Sequence, residues 1–266
     1  MRIYTLGTSH GDSTFNRFNS STLYETKDGT LYLIDAGEPV EALIRRKGLN
    51  IADLRATFIS HMHQDHAGGL PGILKNVNKY ASKRNQLFTL FLPEERAIEP
   101  FKNFMFSLRV NADNEKIEYK TVSDGDIYED ENIKVSAIRT KHLHTISDFE
   151  GTPCSFAYVL HFKKENINIL HTGDLNASLE DYPEIAFEKD FDVCICEATH
   201  YKPENAVEKF KKSRFKKMIL SHVAEAWHIR VGIAWNSENG EKKLLEYYKD
   251  VPYPIFIAHD GDEYIF

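Results

Sequence analysis

The sequence contains few cysteines, no long apolar run and no excess of basic residues, and each of these shortages excludes a class of protein. Three cysteines in 266 residues are too few for a disulfide framework or a complete thiolate metal site. No segment approaches the roughly 18 apolar residues of a membrane span, and the first residues lack the apolar core of a signal peptide. We therefore expect a cytoplasmic protein with no membrane partner.

A linker is also missing, because no repeat, low-complexity tract or Gly/Pro/Ser-rich stretch divides the chain. A chain of this length with 42% hydrophobic residues can bury one large core. We predict a single domain that spans residues 1–266. The net charge of −7 argues against a long polyanionic partner, since such binding depends on neutralising phosphates with Lys and Arg. A small phosphorylated substrate is compatible with that charge.

β-rich runs alternate with helical periodicity along the whole chain. The predicted strands are Arg2–Leu6, Ser21–Glu25, Leu31–Asp35, Thr57–Ser60, Leu87–Leu92, Ile117–Val122, Ile133–Thr140, Ser155–Phe162, Ile167–Leu170, Val193–Cys196, Met218–Leu220 and Ile255–Ala258. The predicted helices are Val40–Lys47, Leu70–Asn78, Glu94–Leu108, Glu204–Lys212 and Glu241–Tyr248. Two β-rich halves, each ending in helices, predict an α/β (α+β) fold in which two sheets lie between helical layers.

Three further patterns receive a structural interpretation. An apolar stripe on the predicted helix at 94–108 favours a place in the core, and it consists of Phe101, Phe104, Met105 and Leu108. Cys194 and Cys196 lie two apart in the apolar run FDVCIC, so a strand would point both to one face as buried thiols. The basic run KFKKSRFKK at 209–217 is interpreted as the solvated face of a helix that leads into the next strand.

The densest group of metal-binding side chains follows the predicted strand TFIS. Four potential ligands fall within six positions of the segment SHMHQDHAGGLPG, namely His61, His63, Asp65 and His66. With 12 His in 266 residues, three His at set places arise by chance on the order of once in ten thousand windows. A loop whose histidines only cap a helix would need one or two of these groups, so the pattern indicates metal binding. His61 and His63 would share a face if the strand continued through them, and the other pair would point to a neighbouring position.

A metal ion needs further ligands, and later strands supply them in order. His142 follows the strand KVSAIRT, Asp174 follows NINILHTG and His222 follows KMILS. Each lies at the carboxyl end of a strand, where α/β folds gather their sites. A catalytic ion also keeps one position open for water. The seven side chains together predict metal-dependent chemistry.

The pattern HxHxDH, the downstream His, the Asp of TGD and the His after an apolar strand resemble the metallo-β-lactamase superfamily over almost the whole chain. The resemblance implies a four-layer αββα sandwich of two mixed β-sheets flanked by helices. It also implies two divalent metal ions that Asp174 bridges. The other ligands of one ion would be His61, His63 and His142. The other ligands of the second ion would be Asp65, His66 and His222. Such ligands suit zinc, and they tolerate manganese or iron.

Within the superfamily the sequence most resembles the phosphodiesterase branch typified by ribonuclease Z. Matching features are TLGTS near the start, Arg17 and Ser20 in RFNSS, LIDAGE at 33–38, HAGGLPGIL after the metal motif and CEATH at 196–200. The sequence lacks a Gly/Pro-rich insertion long enough for the tRNA-gripping arm of that enzyme, and its net charge is acidic. We therefore expect a small-molecule or nucleotide-like phosphodiester substrate, with tRNA disfavoured and a homodimer left open.

Several histidines leave alternatives. His142 and His144 both follow the strand KVSAIRT, and we favour His142 as the ligand because related sequences place it directly after the strand. His200 in CEATH matches a His that acts in proton transfer in ribonuclease Z, so the roles of general acid and of plain helix-start residue both stay open. His228 and His259 are candidates for the border of the cleft. The histidines expected to be structural are His10, His161 and His171.

The resemblance implies hydrolysis by a hydroxide that bridges the two metal ions. Two cations lower the pKa of a bound water from its usual high value toward about 7. Asp65 would orient the hydroxide as well as bind metal, and His200 would protonate the departing alkoxide. The alternative activities are hydrolysis of a lactone, ester or thioester with the same metals. A metal-bound binding module without catalysis is a third interpretation.

Overall fold

The computed structural model describes residues 1–83, 86–143, 153–223 and 238–266. Their backbone divides into two compact units, of which the first comprises Met1–Val122 and His259–Phe266 and the second comprises Ser123–Ala258.

The first unit is built on a mixed seven-stranded sheet. Its strands are β1 (Arg2–Gly7), β2 (Ser21–Glu25), β3 (Leu31–Ile34), β4 (Leu54–Phe58), β5 (Phe88–Leu92), β6 (Ile117–Thr121) and β14 (Asp262–Ile265). The strand order is β14-β1-β2-β3-β4-β5-β6. The pairs from β14 to β3 are antiparallel, and the pairs from β3 to β6 are parallel. The carboxyl ends of β3, β4 and β5 therefore meet at one edge of the sheet.

The helices of the first unit cover the apolar residues of this sheet. They are α1 (Val40–Arg46), α2 (Gln64–Ala67), α3 (Leu70–Lys79) and α4 (Ile98–Ser107). Leu31 and Leu33 alternate on β3 and lie in one core cluster with Leu43 of α1 and Ile73 of α3. The amphipathic pattern of α1 and α3 thus buries one face of each helix against the sheet.

The second unit repeats the same arrangement of strands. Its strands are β7 (Gly125–Glu129), β8 (Ile133–Thr140), β9 (Ser155–Phe162), β10 (Ile167–His171), β11 (Val193–Glu197), β12 (Met218–Ser221) and β13 (Ile255–Ile257). The strand order is β13-β12-β11-β10-β9-β8-β7. The pairs from β7 to β10 are antiparallel and those from β10 to β13 are parallel. Because β8 and β10 both run antiparallel to β9, their carboxyl ends lie at the same edge as those of β11 and β12.

The helices of the second unit are α5 (Ile185–Glu188), α6 (Pro203–Lys212) and α7 (Glu238–Tyr247). Phe210 of α6 and Leu244 of α7 lie in a core cluster with Cys194 and Cys196 of β11. Both thiols are fully buried, and burial raises the pKa of the Cys194 thiol well above its usual value. The buried-thiol interpretation is therefore confirmed. The basic run at 209–217 forms the end of α6 and the segment before β12, with Phe210 and Phe215 buried among exposed basic residues.

Two mixed seven-stranded sheets with flanking helices confirm the predicted fold class. The bounds of one predicted strand were wrong: β4 spans Leu54–Phe58 rather than Thr57–Ser60. Two short strands, β7 and β14, were not predicted because GDIYE and DEYI are acidic and only partly buried. No helix among the described residues is long and apolar enough to cross a membrane.

The predicted apolar stripe on α4 is only partly buried. Met105 is buried and Phe101 packs against the core, but Phe104 is 53% exposed and Leu108 is 48% exposed. Ile98 also packs against the core. The buried face of α4 therefore runs through Ile98, Phe101 and Met105 at spacings of three and four residues, and the expected stripe was wrong by part of a turn.

Candidate metal centre

The first unit places its four predicted ligands directly after β4. The strand ends at Phe58, so His61 and His63 do not lie on a strand. Strand alternation therefore does not explain why these two side chains lie close together. The chain turns into the short helix α2, which carries Asp65 and His66 in its single turn. His61 Nε2 lies 2.9 Å from His63 Nδ1, and His66 Nε2 lies 3.4 Å from Asp65 Oδ2. The ligand atoms thus converge in two pairs.

A buried carboxylate orients these imidazoles. Asp35 Oδ2 lies 2.8 Å from His66 Nδ1. The Ser60 amide donates to Asp35 Oδ1 at 2.7 Å, and the Ser60 hydroxyl donates to Asp35 Oδ2 at 2.9 Å. The same hydroxyl lies 3.0 Å from His61 Nδ1. Since the Nδ1 atoms of His61 and His66 face these partners, their Nε2 atoms point to the other side of the rings, toward His63 and Asp65 respectively.

The loop after β1 reaches the Asp65 carboxylate. The Gly11 amide donates to Asp65 Oδ2 at 2.8 Å. The far side of this loop is held by Asp260, whose Oδ1 accepts from the Thr8 amide at 2.9 Å and from the Thr8 hydroxyl at 2.7 Å. Asp260 Oδ2 accepts from the Phe18 amide. Asp260 therefore holds the loop after β1 in place, and the Gly11 amide of that loop in turn orients Asp65.

Close approach of two backbone segments requires glycine at position 37. A Cβ atom on Gly37 would lie 2.2 Å from the Asp65 carbonyl oxygen and 2.6 Å from Asn19. The neighbouring Ala36 amide donates to the His66 carbonyl at 2.6 Å. The segment LIDAGE thus packs its backbone directly against α2, which explains why a small residue follows Asp35 and Ala36.

The second unit assembles its ligands from three strand ends. His142 follows β8, Asp174 follows β10 and His222 follows β12. All three are well buried, with Asp174 2% exposed and His222 3% exposed. His222 has a φ of +55° and Gly173 a φ of +56°, so the chain leaves each strand in a left-handed turn. Positive φ values at these two positions turn the chain sharply at the ends of β10 and β12.

Asp174 Oδ2 is the point at which three imidazoles meet. It lies 3.2 Å from His222 Nε2, 3.7 Å from His142 Nε2 and 3.8 Å from His200 Nδ1. The ring centroids of His142 and His200 are 4.4 Å apart. One ligand atom each from His142, Asp174 and His200 lies within 4.8 Å of the others. A single cation bound beside Asp174 would be within reach of several ring nitrogens.

His200 is oriented by Glu197 at the end of β11. Its Nδ1 lies 3.0 Å from Glu197 Oε1, and its amide donates to Glu197 Oε2 at 2.9 Å. The Leu175 amide donates to Oε1 and the Thr199 amide to Oε2, each at 2.9 Å. Burial alone would raise the pKa of the Glu197 carboxyl, but the charge and hydrogen bond of His200 outweigh burial and the pKa lies below its usual value.

A second carboxylate ties the turn that carries His142 to the turn that carries Asp174. Asp181 accepts from the Lys141 amide at 2.7 Å and from the Asn176 amide at 3.0 Å. His142 Nδ1 lies 3.3 Å from the Leu175 carbonyl oxygen. The ligands of the second unit are therefore connected by hydrogen bonds across loops that are distant in sequence.

Both sets of side chains fit a divalent transition metal. The donors are imidazole nitrogens and carboxylate oxygens, which suit zinc and also manganese or iron. A ligating histidine usually gives its second ring nitrogen to a carboxylate or carbonyl group. That pattern holds for two predicted ligands, His66 with Asp35 and His142 with Leu175. Glu197 holds His200 in the same way, although His200 is not one of the seven predicted ligands.

The other predicted histidines have different surroundings. His259 is 55% exposed and pairs with Asp262 at 3.6 Å. His161 Nδ1 lies 3.1 Å from Asn168 Oδ1, and His171 Nδ1 accepts from the Gly173 amide at 3.3 Å. His144 and His228 lie outside the described residues. The choice of His142 over His144 therefore stays a prediction.

Sequence reasoning assigned no role to the three supporting residues Asp35, Ser60 and Glu197. Asp35 and Ser60 follow an apolar strand directly or after a short gap, and Glu197 is the last residue of one, so this position was the available signal. The signal is weak because one carboxylate after a strand does not reveal whether it faces a metal or a ligand. Only the fold distinguishes the two, since it places Asp35 and Glu197 behind the histidines.

Comparisons with known proteins show which families this chain resembles. The family model described as "Anti-Pycsar protein Apyc1" matches residues 1–230. Ribonuclease Z of Methanosarcina mazei is 33% identical over 146 residues, which are 53% of this chain and 45% of that protein. Ribonuclease Z of Pseudomonas putida (strain GB-1) is 43% identical over 94 residues, 35% of this chain and 29% of that protein. The matches thus span less than half the length of these curated relatives.

Solved structures share the fold. The metallo-β-lactamase fold protein YhfI from Bacillus subtilis superposes with a TM-score of 0.73 at 16% identity, covering 99% of this chain and 98% of that chain. A diphosphatase from the PhnP family superposes with a TM-score of 0.68 at 19% identity, covering 100% of this chain and 98% of that chain. At such identities the likeness concerns the fold.

Proposed function

This chain belongs to the family of the Anti-Pycsar protein Apyc1, on the ribonuclease Z and phosphodiesterase branch of the metallo-β-lactamase hydrolase superfamily, and on that premise we propose that it is a metal-dependent phosphodiesterase. The proposed substrate is a small or nucleotide-like phosphodiester. Within this proposal residues 1–266 act as one domain. The net charge of −7 supports a small substrate over a long polyanion such as tRNA.

The observation that carries the proposal is the pair formed by Glu197 and His200 beside Asp174. A phosphodiester releases an alkoxide, which is a poor leaving group unless it receives a proton. Glu197 is buried and holds His200 Nδ1 at 3.0 Å. We propose that the other ring nitrogen, Nε2, carries the hydrogen that is donated to the departing oxygen.

The proposed metal centre holds two divalent ions, with zinc favoured. The ligands are those that the superfamily resemblance implies, namely His61, His63, Asp65, His66, His142, Asp174 and His222. Support comes from the convergence of donors within each unit and from the partners behind His66 and His142. When bound, such ions lower the pKa of water and neutralise charge that develops on the phosphoryl oxygens.

The residues of the chain supply orientation and proton transfer. Asp65 is oriented by the Gly11 amide, and we propose that its carboxylate accepts a hydrogen bond from the attacking water. Asp35 and Ser60 fix the rings of His61 and His66. Glu197 fixes His200, which we propose as the general acid that protonates the leaving alkoxide.

A substrate panel tests the proposal. Protein reconstituted with zinc, manganese or iron is assayed with bis-p-nitrophenyl phosphate, p-nitrophenyl phosphate, a lactone and a thioester. We expect hydrolysis of the diester, and we expect a chelator to abolish it. Preference for the lactone or thioester would replace the proposal with the alternative hydrolase. Absence of turnover on every substrate with every metal would favour a binding module.

The role of His200 has a separate test that compares leaving groups. His200→Ala should lower kcat by about 10²- to 10⁴-fold for a diester with an alkoxide leaving group. The same variant should lose far less on a p-nitrophenyl diester, since p-nitrophenolate leaves without a proton. His161→Ala is the matched control, because His161 bonds to Asn168 on the same sheet. Equal losses on both substrates would remove His200 as the general acid.

A further inference from the structure

A cavity of about 560 Å³ opens in the first unit, at a place that the proposed function does not use. Its lining comes from β1, from the loop after β1, from the end of α1 and from the turn before β14. Leu6 and Leu43 are buried and form an apolar part of the wall. Small-molecule sites typically measure about 300–1,000 Å³ and combine apolar walls with a few polar groups.

Two cations line this cavity. Arg46 is exposed at the end of α1, and among the described residues it forms no ion pair. Lys47 is half-buried, and its Nζ donates to the Gly261 carbonyl oxygen. The same Nζ lies 5.7 Å from the centre of the Tyr4 ring. Neither the carbonyl group nor the ring neutralises the ammonium, so the positive charges of Lys47 and Arg46 both act on the cavity.

Among the described residues that line the cavity, Asp260 supplies the carboxylate, and this carboxylate already accepts hydrogen bonds from the loop after β1. Asp260 accepts from the Thr8 amide and hydroxyl through Oδ1 and from the Phe18 amide through Oδ2. These three hydrogen bonds direct its oxygens toward the loop after β1. Asp260 therefore lowers the positive charge of the cavity without forming an ion pair with Arg46 or Lys47 among the described residues.

Two aromatic rings complete the lining. Phe15 is fully exposed, at 101% of its reference area, and Phe18 is partly buried against the core of the first unit. An exposed ring beside a cavity offers a flat apolar face on which a nucleobase can stack. Cations and rings in one cavity are complementary to a ligand that carries an anion and a flat ring.

We propose that this cavity is a binding site for a nucleoside monophosphate. The phosphate binds to Arg46 and Lys47, because a guanidinium matches two phosphate oxygens at once and an ammonium adds a point charge. The base stacks on Phe15, and Leu6 and Leu43 cover the sugar and base edge. The site is distinct from the metal ligands and does not depend on the proposed hydrolysis.

Calorimetric titration of the purified protein with AMP and with UMP tests this site. Neither probe is a diester, so the proposed activity does not consume it. Arg46→Ala should weaken binding by about 10- to 100-fold, the effect of losing a hydrogen bond to a charged group. Phe15→Ala should weaken it by about 5-fold or more, as expected for a lost base stack. Adenosine without phosphate should bind at least about tenfold more weakly than AMP.

Arg45→Ala is the matched control. Arg45 is the neighbour of Arg46 on α1, but it pairs with Glu41 at 3.3 Å and donates to Asn76, and it does not line the cavity. Arg45→Ala should leave the affinity unchanged within about twofold. Equal weakening by Arg45→Ala and Arg46→Ala would indicate non-specific charge attraction and overturn the proposal.

Two further outcomes would also overturn it. The first is no detectable heat or chemical-shift change with either nucleotide at millimolar concentration. The second is binding that survives Arg46→Ala and disappears in Asp174→Ala, which would place the nucleotide at the metal centre. Since Arg46 and Phe15 are exposed, their replacement by Ala leaves the core unchanged, and unaltered thermal unfolding of both variants verifies this.

Discussion

The two ligand sets differ in how the chain assembles them. In the first unit the candidate ligands come from one stretch, 61–66, and one loop geometry positions them all. In the second unit His142, Asp174 and His222 come from three strand ends, and the pairing of the five strands β8 to β12 positions them. A local motif can therefore be found by spacing alone, whereas a dispersed set needs the topology.

The supports of the two sets differ in the same way. Asp35 is one carboxylate that serves both Ser60 and His66. In the second unit Glu197 and Asp181 each join backbone amides from separate loops. We therefore expect a substitution of the supporting carboxylate in the first unit to disturb only the ligands of the 61–66 stretch. A substitution in the second unit should disturb ligands on several loops.

Replacement of Asp174 should have the largest effect. Its Oδ2 faces three imidazoles, and we propose that it bridges both ions. Asp174→Ala should reduce the affinity for both ions by more than about 100-fold, since even loss of an outer partner costs about 10- to 100-fold. His222→Ala should weaken one ion more than the other. Small and equal losses of metal in both variants would contradict the bridging role.

Replacement of His142 should remove one ion and leave the other. A ligand must approach zinc to about 2.0–2.1 Å, so only one of two residues separated by a single position is expected to reach it. His142 Nε2 already faces Asp174 Oδ2 at 3.7 Å. Elemental analysis should find less metal in His142→Ala and unchanged metal in His144→Ala. The reverse result would mean that the ligand register after β8 is wrong by two residues.

Replacement of the supporting carboxylates should have intermediate effects that separate the two sets. In Asp35→Asn and Glu197→Gln an NH₂ group replaces an oxygen that accepts hydrogen bonds, so two donors face each other. Each should lower metal affinity by about 10- to 100-fold. Spectra of the cobalt-substituted protein should show altered histidine ligation in Asp35→Asn, because Asp35 bonds to His66 directly and reaches His61 through Ser60. In Glu197→Gln they should show altered surroundings of Asp174, because Glu197 accepts from the amide of the next residue, Leu175. Identical spectra in the two variants would contradict the proposal that the two ligand sets are supported in different ways.

The smallest expected effect concerns the loop that holds Asp65. In Asp260→Asn the amide can no longer accept from both Thr8 and Phe18, so the loop loses about one hydrogen bond, worth about 1 kcal/mol. We expect metal affinity to fall by about fivefold. Asp262→Asn is the control, since Asp262 bonds to His259 within its own turn. A larger loss in the control would show that the turn as a whole matters, and not the contact with the loop.

Much of the fold was predictable because most strands are apolar and bounded by polar residues. The bounds of β2, β8 and β9 were predicted correctly. β4 was placed too late because the sequence does not show that the Ser60 amide donates to Asp35 and that Leu54 is buried. β7 and β14 were not predicted because their polar residues are typical of turns, although backbone pairing holds both strands at the sheet edges.

The site was predictable to the extent that it is local. HxHxDH is improbable by chance, so the ligands between His61 and His66 could be predicted from their spacing alone. His142, Asp174 and His222 were predicted from their positions after strands, each a weak signal alone, and the family pattern then implied their roles. The roles of Asp35 and Glu197 could not be predicted, since they depend on which side chain each carboxylate faces in the folded chain.

Metal content tests the central claim most directly. Freshly purified protein is analysed for zinc, manganese and iron, and diester hydrolysis is measured on the same sample before and after exhaustive chelation. The account predicts close to two transition-metal ions per chain, loss of hydrolysis on chelation and recovery when metal is restored. Full hydrolysis by a metal-free sample, or a sample that binds no transition metal at any concentration tested, would contradict it.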